Sequence, residues 1–222
     1  CLSHDRKNPF VKPFKSLPVL YDQLFTAFGP QHWWPGDTPF EIAVGAILTQ
    51  NTNWANVERA ITSLKQARQL TCKNMLVLSD SALADLIRPA GYFNVKAKRL
   101  KAFLTYLNRG HGGSMTRMKQ HELRTLRAEL LSVQGIGPET ADSILLYALG
   151  KPTFVIDAYT KRVLSRHGML SYSEDYPVFQ ARFHEALPHD IQLFNEFHAL
   201  FVRVGKEFCK PTPRCERCPL FR

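Results

Sequence analysis

Residues 133–168 read VQGIGPETADSILLYALGKPTFVIDAYTKRVLSRHG, and the fold turns on this stretch. Gly135 and Gly137, one residue apart, permit a tight turn, and Pro138 can open a second helix because a first-turn N–H has no helical partner to lose. Apolar residues at helical spacing lie on both sides, so the stretch reads as helix, hairpin turn, helix. Amides at such a turn can cradle a single phosphate at a helix N-terminus. A G-x-G by itself fits any ordinary inter-helix turn and decides nothing. The residues after the turn are more telling. Ala141–Leu149 is apolar-rich, Gly150-Lys151-Pro152 breaks the chain, and Thr153–Ile156 is apolar and strand-like. Asp157 then stands where a carboxylate caps a helix, Ala158–His167, which carries Lys161, Arg162 and Arg166.

Outward from there the chain is helical almost throughout. Leu17, Leu20, Tyr21, Leu24, Phe25 and Phe28 mark a helix stopped by Gly29-Pro30. Phe40 to about Thr49 is apolar nearly all round, as a buried central helix would be. Asn53 caps a helix through Lys65, and Ser79 or Asp80 caps one ending near Pro89. Asn94–Leu107 carries Lys96, Lys98, Arg99 and Lys101 on one side and a buried stripe on the other; it is either a solvated face or, with Arg162 and Arg166, a phosphate-binding one. Gly110-His111-Gly112-Gly113 breaks it. Further helices fall at His121–Ser132, Pro138–Leu149, Tyr176–Leu187 and Ile191–Gly205. Four strand-like residues cannot make a sheet, so the fold class is all-α.

The chain has 222 residues, enough for one large or two small domains, with 29 Lys+Arg against 19 Asp+Glu. The resulting net charge of +10 suits a polyanionic partner, although many basic proteins never meet one. No apolar run approaches the roughly 20 residues of a membrane helix, and the first residues lead into no signal-peptide core. A chain without membrane contact, cytoplasmic and nucleoid-associated if bacterial, is expected. Of five cysteines, Cys209, Cys215 and Cys218 cluster, which fits a metal or iron–sulfur site better than a disulfide framework.

The order hairpin, Gly/Pro break, apolar stretch ending in Asp157, and helix with Arg162-Val163 resembles the endonuclease III superfamily of helix-hairpin-helix DNA glycosylases. Trp33-Trp34-Pro35, Leu48–Thr52 and Gly91–Leu100 are similar to its 3-methyladenine glycosylase branch. The resemblance implies that Asp157 is the catalytic carboxylate, stabilising positive charge on the deoxyribose or activating water. It implies that Gly135, Gly137, Lys161 and Arg162 contact DNA, and that Gln50 fills the gap left by a flipped base. Trp33, Trp34 and Trp54, with Glu139, would form the base pocket, where an electron-rich indole suits a cationic alkylated purine. Burial in a core is the other ordinary fate of these tryptophans. One departure matters: bifunctional members carry a lysine where this chain has Glu139, and a carboxylate cannot form the Schiff base of strand cleavage.

The same resemblance implies a [4Fe–4S] cluster on Cys209, Cys215 and Cys218, structural in role, turning Lys210, Arg214 and Arg217 toward phosphate. The first gap is one residue shorter than the family's, and no fourth cysteine stands between Cys218 and Arg222. A ligand just beyond Arg222, a distant or non-protein ligand, or a degenerate site would each account for that; zinc completed by a histidine such as His198 is the rival. The expected architecture is two helical lobes: a six-helix lobe over 35–151 with the hairpin, and a second lobe from 1–34 and 152–222 with the C-terminal cysteine loop, the flipped base lying between them. The expected function is a monomeric, monofunctional glycosylase that removes alkylated, 3-methyladenine-like bases from double-stranded DNA. The alternatives are a glycosylase for oxidised or mismatched bases and a non-catalytic helix-hairpin-helix binding protein.

Overall fold

The structure, a computed structural model, describes residues 16–33 and 36–221. Its helices are α1 (Leu17–Phe28), α2 (Pro39–Leu48), α3 (Trp54–Gln66), α4 (Cys72–Val77), α5 (Asp80–Leu86), α6 (Phe93–His111), α7 (Met115–Lys119), α8 (Leu123–Ser132), α9 (Pro138–Ser143), α10 (Ala158–Arg166), α11 (Tyr176–Ala186) and α12 (Ile191–Glu207). No strand occurs among the described residues, and the fold is all-α. None of these helices is long and apolar enough to cross a membrane. The described residues form two compact units: a central stretch ending at Lys151, and the chain up to Trp33 together with the chain from Pro152 onward.

In the central unit, α2 is the buried helix its composition demands: Ile42, Ala43, Val44, Ile47 and Leu48 are all enclosed. Thr38 starts it by accepting the Glu41 amide at 3.1 Å, and Asn53 and Ser79 cap α3 and α5 in the same way. Leu100, Phe103, Leu104 and Leu107 from α6 pack into the same core as Ala141, Ile144 and Leu145 from the hairpin's second helix. The helix α6 runs through Gly110 and stops soon after, where Gly112 and Gly113 both take positive φ and return hydrogen bonds to Asn108 and Leu107. The Gly112 N–H to Asn108 carbonyl bond is the αL helix cap, which favours glycine at the left-handed position. Two short helices, α4 and α7, have no counterpart in the sequence reading, because so few residues carry too little periodicity. The helix expected over Pro138–Leu149 changes pitch: α9 ends at Ser143 and Ile144–Ala148 form a π turn.

The basic helix α6 corrects an expectation. Lys96 is fully enclosed and donates to the carbonyls of Leu48 (2.9 Å) and Ala90 (2.7 Å). Lys101 donates to the carbonyls of Leu76 and Leu78. These ammonium groups close the C-terminal ends of neighbouring short elements, where carbonyls lack helical partners, rather than facing solvent or phosphate.

The other unit is built on phenylalanine. Phe154, Phe179, Phe183, Phe194, Phe197 and Phe201 are all buried, with Phe154 stacked on Phe183 at 3.7 Å. The strand-like Thr153–Ile156 is extended but unpaired with any strand. Side chains of α11 replace the missing ladder: His184 accepts the Phe154 amide, Tyr176 accepts the Ile156 amide, and Gln180 donates to the Phe154 carbonyl. Against α12, the ring of Tyr159 leaves no room at Gly205, where a Cβ would stand 2.3 Å from Cδ1 and 2.8 Å from Cγ.

This packing makes two measurable demands. Gly205→Ala should cost about 1–3 kcal/mol in urea unfolding, and adding Tyr159→Ala should cost less than the sum of the two single changes. The second concerns His111 at the end of α6, whose Nε2 lies 3.0 Å from the Tyr106 hydroxyl. Burial and neighbouring His121 hold its imidazole below the usual range against the pull of Glu129. A histidine kept neutral by folding contributes stability that is complete above its unfolded value and is lost as pH falls through that value toward the lower folded one. Unfolding free energy should therefore decline as pH falls below about 6.5, and His111→Phe should flatten that decline.

Candidate functional site

The hairpin joins α8 to α9, and its two glycines differ in role. Gly135 has φ +86°, and a Cβ there would lie 2.3 Å from Arg99 Cγ, so both the backbone conformation and the arginine lid require glycine. Gly137 has ordinary φ and open space beside it, the kind of room a ligand needs to approach an amide. Ile136 between them is buried, while Gly135, Gly137, Pro138 and Glu139 are exposed. The two helices are locked by an ion pair: Arg127 on α8 gives Nε and Nη2 to the two carboxylate oxygens of fully buried Asp142 on α9, at 2.8 and 3.0 Å. Such a fork-to-fork pair fixes orientation as well as distance.

Gln50 is brought onto this hairpin. Its Nε2 donates to the Gly135 carbonyl (3.0 Å) and to Thr140 Oγ1 (2.9 Å), and its Oε1 accepts from Arg99 Nη1 (2.5 Å). Arg99 therefore lids Gly135 and holds Gln50 at once, a role that the sequence reading did not assign. Trp54 opens α3, packs its ring against Gly45 of α2, and donates its indole N–H to Glu58 at 2.9 Å. Trp34 lies outside the described residues.

Asp157 belongs to the other unit, as the N-cap of α10. Its Oδ1 accepts the Thr160 amide at 2.7 Å, and its Oδ2 lies 3.5 Å from His198 Nε2. Burial pushes this carboxyl up, but the nearby His198 imidazole and the contacts of Thr160 outweigh it and hold the group below the usual carboxylate range. Trp33 sits edge-on to His198 with ring centroids 6.3 Å apart, and Lys206 Nζ lies 5.8 Å from the Trp33 ring. Trp33, Asp157 and His198 thus form one cluster. His198 was considered in the sequence only as a zinc ligand; the signal that could have found it is a lone histidine on an otherwise apolar stripe of α12.

Lys161 and Arg162 are directed into their own unit. Lys161 Nζ donates to the Glu174 carbonyl at 2.8 Å and lies 4.9 Å from the Phe179 ring. Arg162 Nε donates to the Cys209 carbonyl at 2.6 Å, and its guanidinium lies over Tyr159. Arg166 completes the grip on the cysteine loop through Cys209 Sγ, Lys210 O and Pro211 O. Cys209, Cys215 and Cys218 are free thiols, and burial pushes Cys218 up to about 11. Among the described residues no group of three or more His, Cys, Asp or Glu side chains converges to hold a metal ion. The three thiols nevertheless lie near one another, since, beyond burial, Cys209 raises Cys215 and both raise Cys218, and a cubane cluster would need a fourth ligand beside them. Zinc completed by His198 does not fit, since that imidazole faces Asp157.

Comparison with known proteins bears on what these clusters do. Residues 44–189 match the family described as HhH-GPD superfamily base excision DNA repair protein. A protein of Methanocaldococcus jannaschii with the provisional name DNA repair glycosylase is 45% identical over 93% of this chain and 94% of its own length. Endonuclease III of Thermotoga maritima is 27% identical over 81% of this chain and 79% of its own. Among solved structures, the 3-methyladenine DNA glycosylase of H. pylori bound to 1,N6-ethenoadenine superposes with a TM-score of 0.76 and 30% identity, over 85% of this chain and 96% of that one. A non-covalent endonuclease III–DNA complex shares the fold with a TM-score of 0.79 at 21% identity, over 91% of each chain.

The hairpin lock can be tested directly. Arg127→Met leaves the Asp142 carboxylate buried without its fork and should cost about 3 kcal/mol in chemical denaturation. Changing Asp142→Leu in the same chain should restore most of that loss, because an apolar pair of similar volume removes the buried charge altogether.

Proposed function

The chain belongs to the HhH-GPD superfamily of base excision DNA repair proteins, and we propose that it is a monofunctional DNA glycosylase acting on alkylated, 3-methyladenine-like bases with Asp157 as the catalytic carboxylate. The observation that carries the reading is a buried carboxylate at the N-terminus of α10, with one oxygen on the Thr160 amide at 2.7 Å and the other 3.5 Å from His198 Nε2. Cleaving an N-glycosidic bond sends its electron pair out with the base and leaves positive charge on the deoxyribose. A fixed negative charge beside that carbon lowers the barrier, and water then adds and loses its proton to solvent. The second oxygen, Oδ2, is the one outside the helix cap and able to face the sugar.

Lack of strand cleavage rests on Glu139. It occupies the place where the bifunctional relatives hold their lysine, and no carboxylate forms an imine. The alkylated substrate is supported by the likeness to the H. pylori enzyme and by Trp33, an indole beside Asp157's partner on which a cationic purine can stack. Duplex DNA is the partner in this reading. The amides at Gly137 and the exposed rim of the hairpin take one phosphate, and Gln50, leaving Arg99, fills the gap behind a flipped base. Lys161 and Arg162, each bonded to a carbonyl of its own unit with further N–H groups beside that bond, would add phosphate contacts in this reading. The endonuclease III relative favours a second reading, in which the base is oxidised or mismatched.

A panel of duplexes containing 3-methyladenine, thymine glycol, G·T and A·8-oxoguanine, with product analysis, separates the readings. Excision of the alkylated base with an intact abasic strand is expected. Asparagine caps helices as well as aspartate does, so Asp157→Asn should fold and bind DNA while excision falls by about 10²–10³-fold. Excision that survives this change, or a borohydride-trapped covalent adduct with DNA, would overturn the mechanism.

A further inference from the structure

Asp157 has two oxygens and they are not equivalent. Oδ1 is committed to the Thr160 amide, while Oδ2 points at an imidazole from a helix much further along the chain, with His198 Nε2 at 3.5 Å. His198 is buried on the face of α12 that otherwise carries Phe194, Phe197, Phe201 and Val202. Its ring meets Trp33 edge-on on one side and Phe154 on another, with centroids 6.3 and 6.4 Å away. A phenylalanine or leucine would fill this aromatic surrounding at no desolvation cost, so the cost of an imidazole here is offset by what its nitrogen does.

We propose that His198 is a positioning residue for Asp157, its Nε2 donating to Oδ2 so that the plane of the carboxylate is fixed toward the reacting sugar. This rests on the reading of Asp157 as the catalytic carboxylate. The helix cap alone pins one oxygen and leaves the carboxylate free to turn about it; a second donor on Oδ2 removes that freedom. At 3.5 Å the contact is longer than a tight hydrogen bond, and catalytic contacts of this kind shorten when substrate is bound. The same imidazole opposes protonation of a carboxyl that burial would otherwise neutralise. Positive charge on the sugar develops only as the bond breaks, so an effect transmitted through Asp157 appears in the rate of excision and not in the affinity for DNA. A core histidine without this role would show in stability alone.

Two variants separate these cases. His198→Phe keeps the aromatic volume and removes the donor; His198→Gln restores an amide donor at similar reach. Single-turnover excision, binding of the same lesion duplex and thermal melting are measured for both, using whichever of the four lesion duplexes the wild type cuts fastest. A hydrogen bond to a charged group is worth roughly 10- to 100-fold in rate. His198→Phe should therefore lose about that much, with lesion-DNA affinity within about threefold of wild type and His198→Gln recovering to within about fivefold of the wild-type rate. His198→Phe excising at the wild-type rate overturns the proposal, and so does an equal loss in both variants, whether or not melting temperature moves. Asp157→Asn in the same assay keeps the two claims apart. If it retains excision, or if the wild type excises nothing in the panel, the reading of Asp157 fails and this inference with it; if it loses excision while His198→Phe does not, only this inference fails.

Discussion

A carboxylate that stays charged while buried sets the terms for the unit that holds it. Taking the charge of Asp157 out of water is costly, and the structure offsets this with the α10 N-terminus, the Thr160 amide and the His198 imidazole. Each compensating group has to be held still to count, which is where the phenylalanine core enters. Phe154, just before Asp157 in the chain, is wedged among Phe183, Phe194 and Phe197, and α11 satisfies the backbone on either side of it. The extended linker is therefore as fixed as a strand without being in a sheet. The helix it delivers starts at one defined point.

The central unit solves a similar problem with cations. Tight turns and short helices leave carbonyls unpartnered, and in a packed interior water cannot serve them. Lys96 closes the end of α2 next to the Gln50 turn, Arg99 covers Gly135, and Arg127 secures the hairpin through Asp142. Lys96 and Lys101 are thus committed to backbone carbonyls of this unit, and Arg99 and Arg127 to its side chains. The net charge of +10 therefore includes cations held inside the fold, and the amides of the hairpin offer phosphate a placed contact that a count of lysines does not.

The same contrast decides which features were legible in the sequence. The hairpin, the all-round apolar α2 and the capping position of Asp157 obey local rules of turn geometry, periodicity and caps, and those rules act within a few residues. The basic helix misled because composition along one helix does not reveal where its neighbours end; Lys96 looks like any surface lysine until the termini of α2 and the 3-10 turn at Arg88–Ala90 are placed beside it. His198 was hidden for the same reason, being remote in the chain from the group it serves. The π turn after Ser143 has no local signal in Ile144–Ala148, all good helix or core residues.

The cysteine loop is tied to the rest of its unit through α10. Its place in the molecule can be understood without a metal. Arg162 and Arg166 stand on the second half of α10 and bind the Cys209, Lys210 and Pro211 carbonyls, while the other end of the same helix is the Asp157 cap. The helix is only nine residues long, and a short helix has little rigidity of its own. Fastening its C-terminal half to the loop and packing Tyr159 onto Gly205 removes the motion that would blur its N-terminus. The loop then acts on the carboxylate through α10, and any ligand bound to the thiols would act by the same route, as a stiffener of the loop rather than a participant at the sugar.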